Sequence, residues 1–210
     1  MLKVGLTGGI ASGKSVVGAM FTELGVHLIQ SDTVAHELME PGGAAYDQIV
    51  AQFGTGILNP DRTINRARLA EAAFGGAAPS RIERLNRIVH PAVIERESAW
   101  LQGIARRDPH GIAMVEAALI LEARAADRFD QLVVVTCRPE QRISRWAARV
   151  GVDMDTARRE VTRRAAAQLP EEEKVKAADY VIDNSGSLEE TRKQVEETYQ
   201  KLRRREQEKV

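Results

Sequence analysis

Cysteine is nearly missing: Cys137 is the single one in 210 residues. That excludes an intramolecular disulfide and a multi-cysteine zinc site, and fits a reducing compartment. Aromatic residues make up only 4%, which argues against a base-stacking platform. An excess of one charge is also lacking, because 30 Lys and Arg offset 30 Asp and Glu. No overall basic field gathers nucleic acid or anionic lipid. No apolar run approaches the roughly 20 residues that cross a bilayer. The first residues are interrupted by glycines and reach Lys14 without a small-residue cleavage site, unlike a secretory signal. His27, His36, His90 and His110 show no metal-ligand spacing. These absences predict a cytoplasmic protein with no nucleic-acid and no membrane partner; a monomer or weak homo-oligomer is expected, though no residue pattern points to either.

What is present is a globular composition, 43% hydrophobic and 29% charged, in a length suited to one domain. Residues 2–6 read as a short buried strand, 14–24 as a helix after a glycine-rich turn, and 26–29 as a second strand. Helix is expected over 32–40, stopped by Pro41-Gly42-Gly43. A strand–helix–strand run of this length implies parallel strands with a right-handed crossover. Residues 46–107 read as mostly helical, with breaks near Asn59-Pro60-Asp61 and at 75–79. Further strands are expected at 112–115, 131–136 and 180–182, and an arginine-rich helical stretch at 138–164 broken at 150–152. Ser187-Leu188-Glu189-Glu190 matches a capping box opening a last helix, whose end at 203–209 reads as solvated and fraying.

The sharpest signal is Gly8-Gly9-Ile10-Ala11-Ser12-Gly13-Lys14-Ser15, a glycine, four residues, then Gly-Lys-Ser. Glycines let the backbone curl until successive N–H groups point into one concavity that can surround phosphate oxygens. The following helix adds its positive end. Lys14 would bridge the outer phosphates and the Ser15 hydroxyl would hold magnesium. With Val16, these residues are the candidate ATP-binding loop.

Asp32 follows the second strand and, by the parallel arrangement, faces the same crevice as the loop. One strand between them predicts a separation of roughly 10 Å. Asp32 is thus a candidate base or acceptor-positioning group, although Ser31 and Asp32 are also good helix caps. Glu116, after the strand at 112–115, is either an acid for magnesium and its waters or a salt-bridged strand end. Arg142, Arg145, Arg149, Arg158, Arg159, Arg163 and Arg164 read as a lid over phosphates, with most of them solvated surface.

The chain resembles the dephospho-CoA kinase family along residues 4–195. The resemblance runs from Gly5-Leu6-Thr7-Gly8-Gly9-Ile10 through Ser31-Asp32, His36-Glu37-Leu38 and Glu40-Pro41-Gly42. It continues through Phe53-Gly54, Ile64-Asn65-Arg66, Leu85-Asn86 and His90-Pro91 to Arg145, Arg149, Arg164, Gln168, Lys174 and residues 178–184. It departs at Gln30, Glu116 with Ala118, and Arg149-Val150, where the family usually has an acid, Asp followed by Pro, and Arg-Asp.

The resemblance implies an α/β phosphate-loop NTPase fold, three-layered, with a five-stranded parallel sheet, a helical substrate-binding insert and a helical lid. In those terms one domain comprises a core of residues 1–45, 111–137 and 178–210, an insert at 46–110 and a lid region at 138–177. The implied reaction is ATP-dependent phosphorylation of the ribose 3′-hydroxyl of dephospho-CoA, with magnesium. Asp32, Lys14, Arg145 and Arg149 are its implied catalytic residues. Asn184 would lie near the adenine, and His36, Arg66 and His90 would join Asp32 in binding the acceptor. A kinase for another small hydroxyl acceptor, of nucleoside or shikimate type, is the alternative.

Overall fold

The sheet is built around strands that bury both faces. In the computed structural model, which describes residues 1–74 and 80–209, the first strand β1 (Leu2–Gly8) is almost wholly buried. Strand β2 is His27–Gln30, β3 is Ile112–Glu116, β4 is Gln131–Thr136 and β5 is Tyr180–Asp183. They form one five-stranded parallel sheet in the order β2-β3-β1-β4-β5, so β3 lies between β1 and β2, the one intervening strand supposed for Asp32. Leu6 pairs with Glu116 on β3, and Gly8 pairs with Val135 on β4.

Helices in chain order are α1 (Lys14–Glu23), α2 (Ser31–Leu38), α3 (Tyr46–Phe53), α4 (Arg66–Phe74) and α5 (Ser80–Arg107). Then come α6 (Pro139–Val150), α7 (Met154–Ala165), α8 (Glu171–Lys176) and α9 (Leu188–Glu208). The expected break at residues 75–79 lies outside the described residues.

The chain divides into two compact units. The first is Met1–Ile29 with Leu101–Val210. In it, one sheet face buries Val4, Leu6, Met114, Val133 and Ile182 against Val17, Met20 and Phe21 of α1 and Val195 and Leu202 of α9. Burying such side chains contributes about 1.5–3 kcal/mol each. The opposite face buries Leu132 and Val134 with Ile120 and Phe129. Helices α6 and α7 form a hairpin around Trp146, Ala157 and Val161 that packs on Ile10 of the glycine-rich loop. Pro139 opens α6, Gly151 closes it in a left-handed conformation, and the Asp153 side chain caps α7 by accepting from Thr156 N at 2.8 Å.

The second unit is Gln30–Trp100. Its helices are linked by turns pinned with side chains: Asn65 accepts from Arg68 N at 3.1 Å and donates to Asn59 Oδ1 at 2.9 Å. The Asn of the Ile64-Asn65-Arg66 motif thus caps α4 and presents Arg66 at its first position. An isolated antiparallel bridge joins Leu58 to Ile64.

One expectation fails at the C-terminus. Residues 203–209 do not fray: α9 continues to Glu208, and Glu206 is buried. Thr191, Val195, Thr198, Leu202 and Glu206 form one helical stripe, so the buried face extends beyond the last apolar residue. Arg203 donates to His110 O at 2.8 Å, and Lys209 pairs with Asp130 at 2.6 Å. The capping box at Ser187 and Glu190 forms as expected.

Candidate active site

The turn after β1 is held where only particular residues fit. A Cβ at Gly8 would collide with the carbonyl of Val135 on the paired strand. Gly13 has φ +93°, and a Cβ there would run into the Asn184 amide. Ala11 also takes positive φ, at 54°. The result is a loop that wraps over the start of α1, where the N–H groups of Val16 and Val17 donate to Gly13 O at 3.0 and 3.1 Å. The positive end of the helix dipole suits this place to an anion.

Side chains complete the cradle. Lys14 Nζ donates to the carbonyls of Gly8 and Gly9 at 3.1 and 3.2 Å, which folds it back over the loop. Ser15 Oγ donates to Glu116 Oε1 at 2.8 Å, and Glu116 is 8% exposed at the end of β3. A hydroxyl and a carboxylate, both hard oxygen donors at that spacing, suit magnesium, which takes few protein ligands and completes its shell with water and phosphate oxygens. Among the described residues no cluster of three or more His, Cys, Asp or Glu could hold a metal on its own. Ser12 is fully buried and its hydroxyl has no partner among the described residues. An orphaned buried hydroxyl inside a phosphate-binding turn is a polar atom left for a ligand to satisfy.

Three elements brace the loop from behind. Asn184, at the end of β5, donates to Ser12 O at 2.9 Å and accepts from Thr191 Oγ1 at 3.0 Å. Arg145 of α6 spans the same place, donating to Ser12 O at 3.4 Å and to Asn184 O at 2.9 Å. Gln168 accepts from Ile10 N at 3.1 Å. Arg142 lies beside Gly9, donates to Cys137 O at 3.2 Å and pairs with Glu171. The segment after α7 is itself anchored: Lys174, 1% exposed, pairs with Glu122 at 2.7 Å, and Glu122 accepts from Leu169 N at 2.9 Å. Cys137 is buried with its thiol 3.8 Å from Ala11 O.

A family model described as dephospho-CoA kinase matches residues 2–190. The chain belongs to the dephospho-CoA kinase family. A dephospho-CoA kinase from Geobacter metallireducens is 44% identical over 195 residues, covering 93% of this chain and 94% of the relative. The crystal structure of TT1252 from Thermus thermophilus matches with a TM-score of 0.77 at 29% identity, covering 96% of this chain and 97% of that one. A dephospho-CoA kinase from Campylobacter jejuni shares the fold, with a TM-score of 0.62 at 21% identity and coverage of 95% and 96%.

In this dephospho-CoA kinase family member the remaining candidates fall in two places. On the first unit, Arg149 and Arg164 both lie over the Trp146 ring, 4.7 and 4.6 Å from its centroid. Arg163 and Arg164 pair with Glu160. On the second unit, Asp32 and His36 are exposed one turn apart on α2, Arg66 is exposed at the start of α4, and His90 is exposed on α5 beside Pro91. Asp32 has no hydrogen-bond partner among the described residues. Its neighbour Ser31 does: Ser31 Oγ donates to Glu97 Oε1 at 2.5 Å. Glu97 was not legible as a site residue, because Glu95-Arg96-Glu97 reads as a charged helix surface. The role of Gln168 at Ile10 is likewise a tertiary contact that no local pattern signals.

Proposed function

We propose that the protein transfers the γ-phosphoryl group of ATP to the ribose 3′-hydroxyl of dephospho-CoA, giving CoA and ADP in the last step of CoA synthesis. The observation that carries this reading is family membership over residues 2–190 together with an intact loop and its Ser15–Glu116 pair.

In this reading residues 8–16 cradle the ATP phosphates, with their amides and the Ser12 hydroxyl facing the oxygens. Lys14 exchanges its two loop carbonyls for the β- and γ-phosphates. Magnesium, when bound, would neutralise charge on the phosphates; Ser15 would hold it directly and Glu116 through its waters.

Asp32 orients the 3′-hydroxyl and accepts its proton as transfer proceeds. His36, Arg66 and His90 bind the acceptor, within the helical insert of residues 46–110 and its approach. Arg145 and Arg149 act from the lid region, residues 138–177, offsetting charge on the transferring group. Asn184 holds the loop on the adenine side. Phosphoryl transfer passes through a loose transition state, so positioning and charge carry most of the acceleration. A lid that excludes water limits idle hydrolysis of ATP. A cytoplasmic location and a monomeric or weakly self-associating state belong to the same reading; among the described residues no helix is long and apolar enough to cross a membrane.

The test is an acceptor panel. Purified protein with ATP and magnesium is offered dephospho-CoA, a nucleoside and shikimate, and ADP release is followed alongside product mass. Phosphorylation of dephospho-CoA at its ribose is expected. Preferential turnover of either other acceptor would replace the reading.

A further inference from the structure

Asp32 is exposed and holds no hydrogen bond among the described residues, so nothing grips its carboxylate directly. What orients it must be the backbone that carries it. That backbone turns sharply from β2 into α2 between Gln30 and Ser31, and α2 has no side-chain cap at its start. Serine at such a place usually serves its own helix end by accepting from an amide. Here the Ser31 hydroxyl instead donates away from the helix, to Glu97 Oε1 at 2.5 Å, on α5, 66 residues later. Glu97 is 2% exposed, and a glutamate is almost never so buried unless its carboxylate is committed to partners.

We propose that Glu97 is a positioning residue for phosphoryl transfer: through the Ser31 hydroxyl it fixes the first turn of α2 and with it the direction of the Asp32 carboxylate. This rests on the reading of Asp32 as the proton acceptor. Thr33 is exposed on the same turn and His36 one turn on, while Val34 and Leu38 seat the helix by burial. Thr33 Oγ1 donates to Gln30 Oε1 at 3.4 Å within that turn, and the Ser31–Glu97 bond ties the turn to α5. A short, charge-assisted bond is the stronger kind, suited to that task. Rate is sensitive to such placement, since displacing a reacting group by about 1 Å can cost on the order of a hundredfold.

The experiment compares Ser31→Ala, Ser31→Thr, Glu97→Gln and the double variant Ser31→Ala/Glu97→Gln in the full-length protein, with Asp32→Asn measured in parallel. Each is scored for kcat, KM for dephospho-CoA, ATP affinity and melting temperature. Ser31→Ala should lower kcat by about tenfold to a hundredfold while ATP affinity stays as in the unmodified protein; a lower melting temperature accompanies it, because the buried Glu97 carboxylate loses a donor. Ser31→Thr, which keeps the hydroxyl, should restore kcat. The double variant should be no slower than the slower single one, because both changes act on the same bond, Ser31→Ala by removing its donor and Glu97→Gln by removing the charge on its acceptor. Unchanged kcat in Ser31→Ala overturns the proposal. So does a loss that follows ATP affinity, a loss that Ser31→Thr fails to restore, or losses that multiply in the double variant. If Glu97→Gln does not fold, Ser31→Ala and Ser31→Thr decide alone. Should Asp32→Asn turn over normally, the base assignment itself fails, an outcome separate from a normal Ser31→Ala beside an inactive Asp32→Asn.

Discussion

Ser15 and Glu116, 101 positions apart in the chain, are joined by a hydrogen bond of 2.8 Å from the hydroxyl to the carboxylate. The pairing of Leu6 with Glu116 sets it up, because it brings the end of β3 level with the strand that leads into the loop. A residue at the start of α1 and one at the end of β3 thereby become one oxygen-donor pair.

Replacing Glu116 by Gln should weaken magnesium affinity, so that more magnesium is needed for activity, without abolishing nucleotide binding. A group acting through metal-bound water typically changes metal affinity by about 10–100-fold. Activity titrated with magnesium should shift by that factor, and ATP binding measured without magnesium should not. Ser15→Ala should act in the same direction and more strongly.

Gly13→Ala tests the loop's backbone. The residue sits at φ +93°, and its added methyl would meet the Asn184 amide. Left-handed backbone costs a non-glycine residue about 1–2 kcal/mol, before any clash. ATP affinity should fall by about tenfold or more, the equivalent of 1.4 kcal/mol per decade. Adding Asn184→Ala relieves the clash but not the backbone strain, so rescue measured by ATP titration should be partial.

How much of this was legible beforehand varied with how local the cause is. Strand β4 has the bounds its sequence suggests, since the apolar run Leu132-Val133-Val134-Val135 is flanked by Gln131 and Thr136. Strand β1 runs two residues beyond the apolar reading, through Thr7 and Gly8, because those two pair with Val134 and Val135. That is a non-local cause. The glycine-rich loop, Lys14 and Ser15 were readable from spacing alone. The braces behind it were not: Gln168 to Ile10 spans 158 positions and Asn184 to Ser12 spans 172. The C-terminal helix shows the same limit, since a glutamate at position 206 gives no local sign that it will be buried.

The Glu122–Lys174 pair should behave as a buried charge pair. Lys174→Ala leaves Glu122 with an uncompensated charge next to Leu169 N, and breaking such a pair typically costs about 3–5 kcal/mol. Lys174→Met with Glu122→Gln removes both charges and should recover most of that loss. Urea denaturation of the three proteins checks the order: unmodified, then the double variant, then Lys174→Ala.

Acid sensitivity should trace in part to Asp130. Burial pushes its carboxyl up, but the Lys209 ammonium and the backbone N–H of Lys3 outweigh that and hold it below the ordinary value of 3.8. A carboxyl depressed in the folded state contributes stability above the unfolded value and loses it as pH falls through the folded one. Asp130→Asn should therefore melt lower than the unmodified protein at pH 6. The gap should close as pH drops below about 3.8, with both curves followed by thermal denaturation.

The most direct test of the account is a single-turnover comparison of the unmodified protein with Asp32→Asn, using ATP labelled at its γ-phosphate and dephospho-CoA. The account predicts equal ATP binding, rapid appearance of label on the ribose 3′-oxygen with the unmodified protein, and transfer slowed by on the order of a hundredfold or more in the variant. Transfer by Asp32→Asn at the unmodified rate would contradict it.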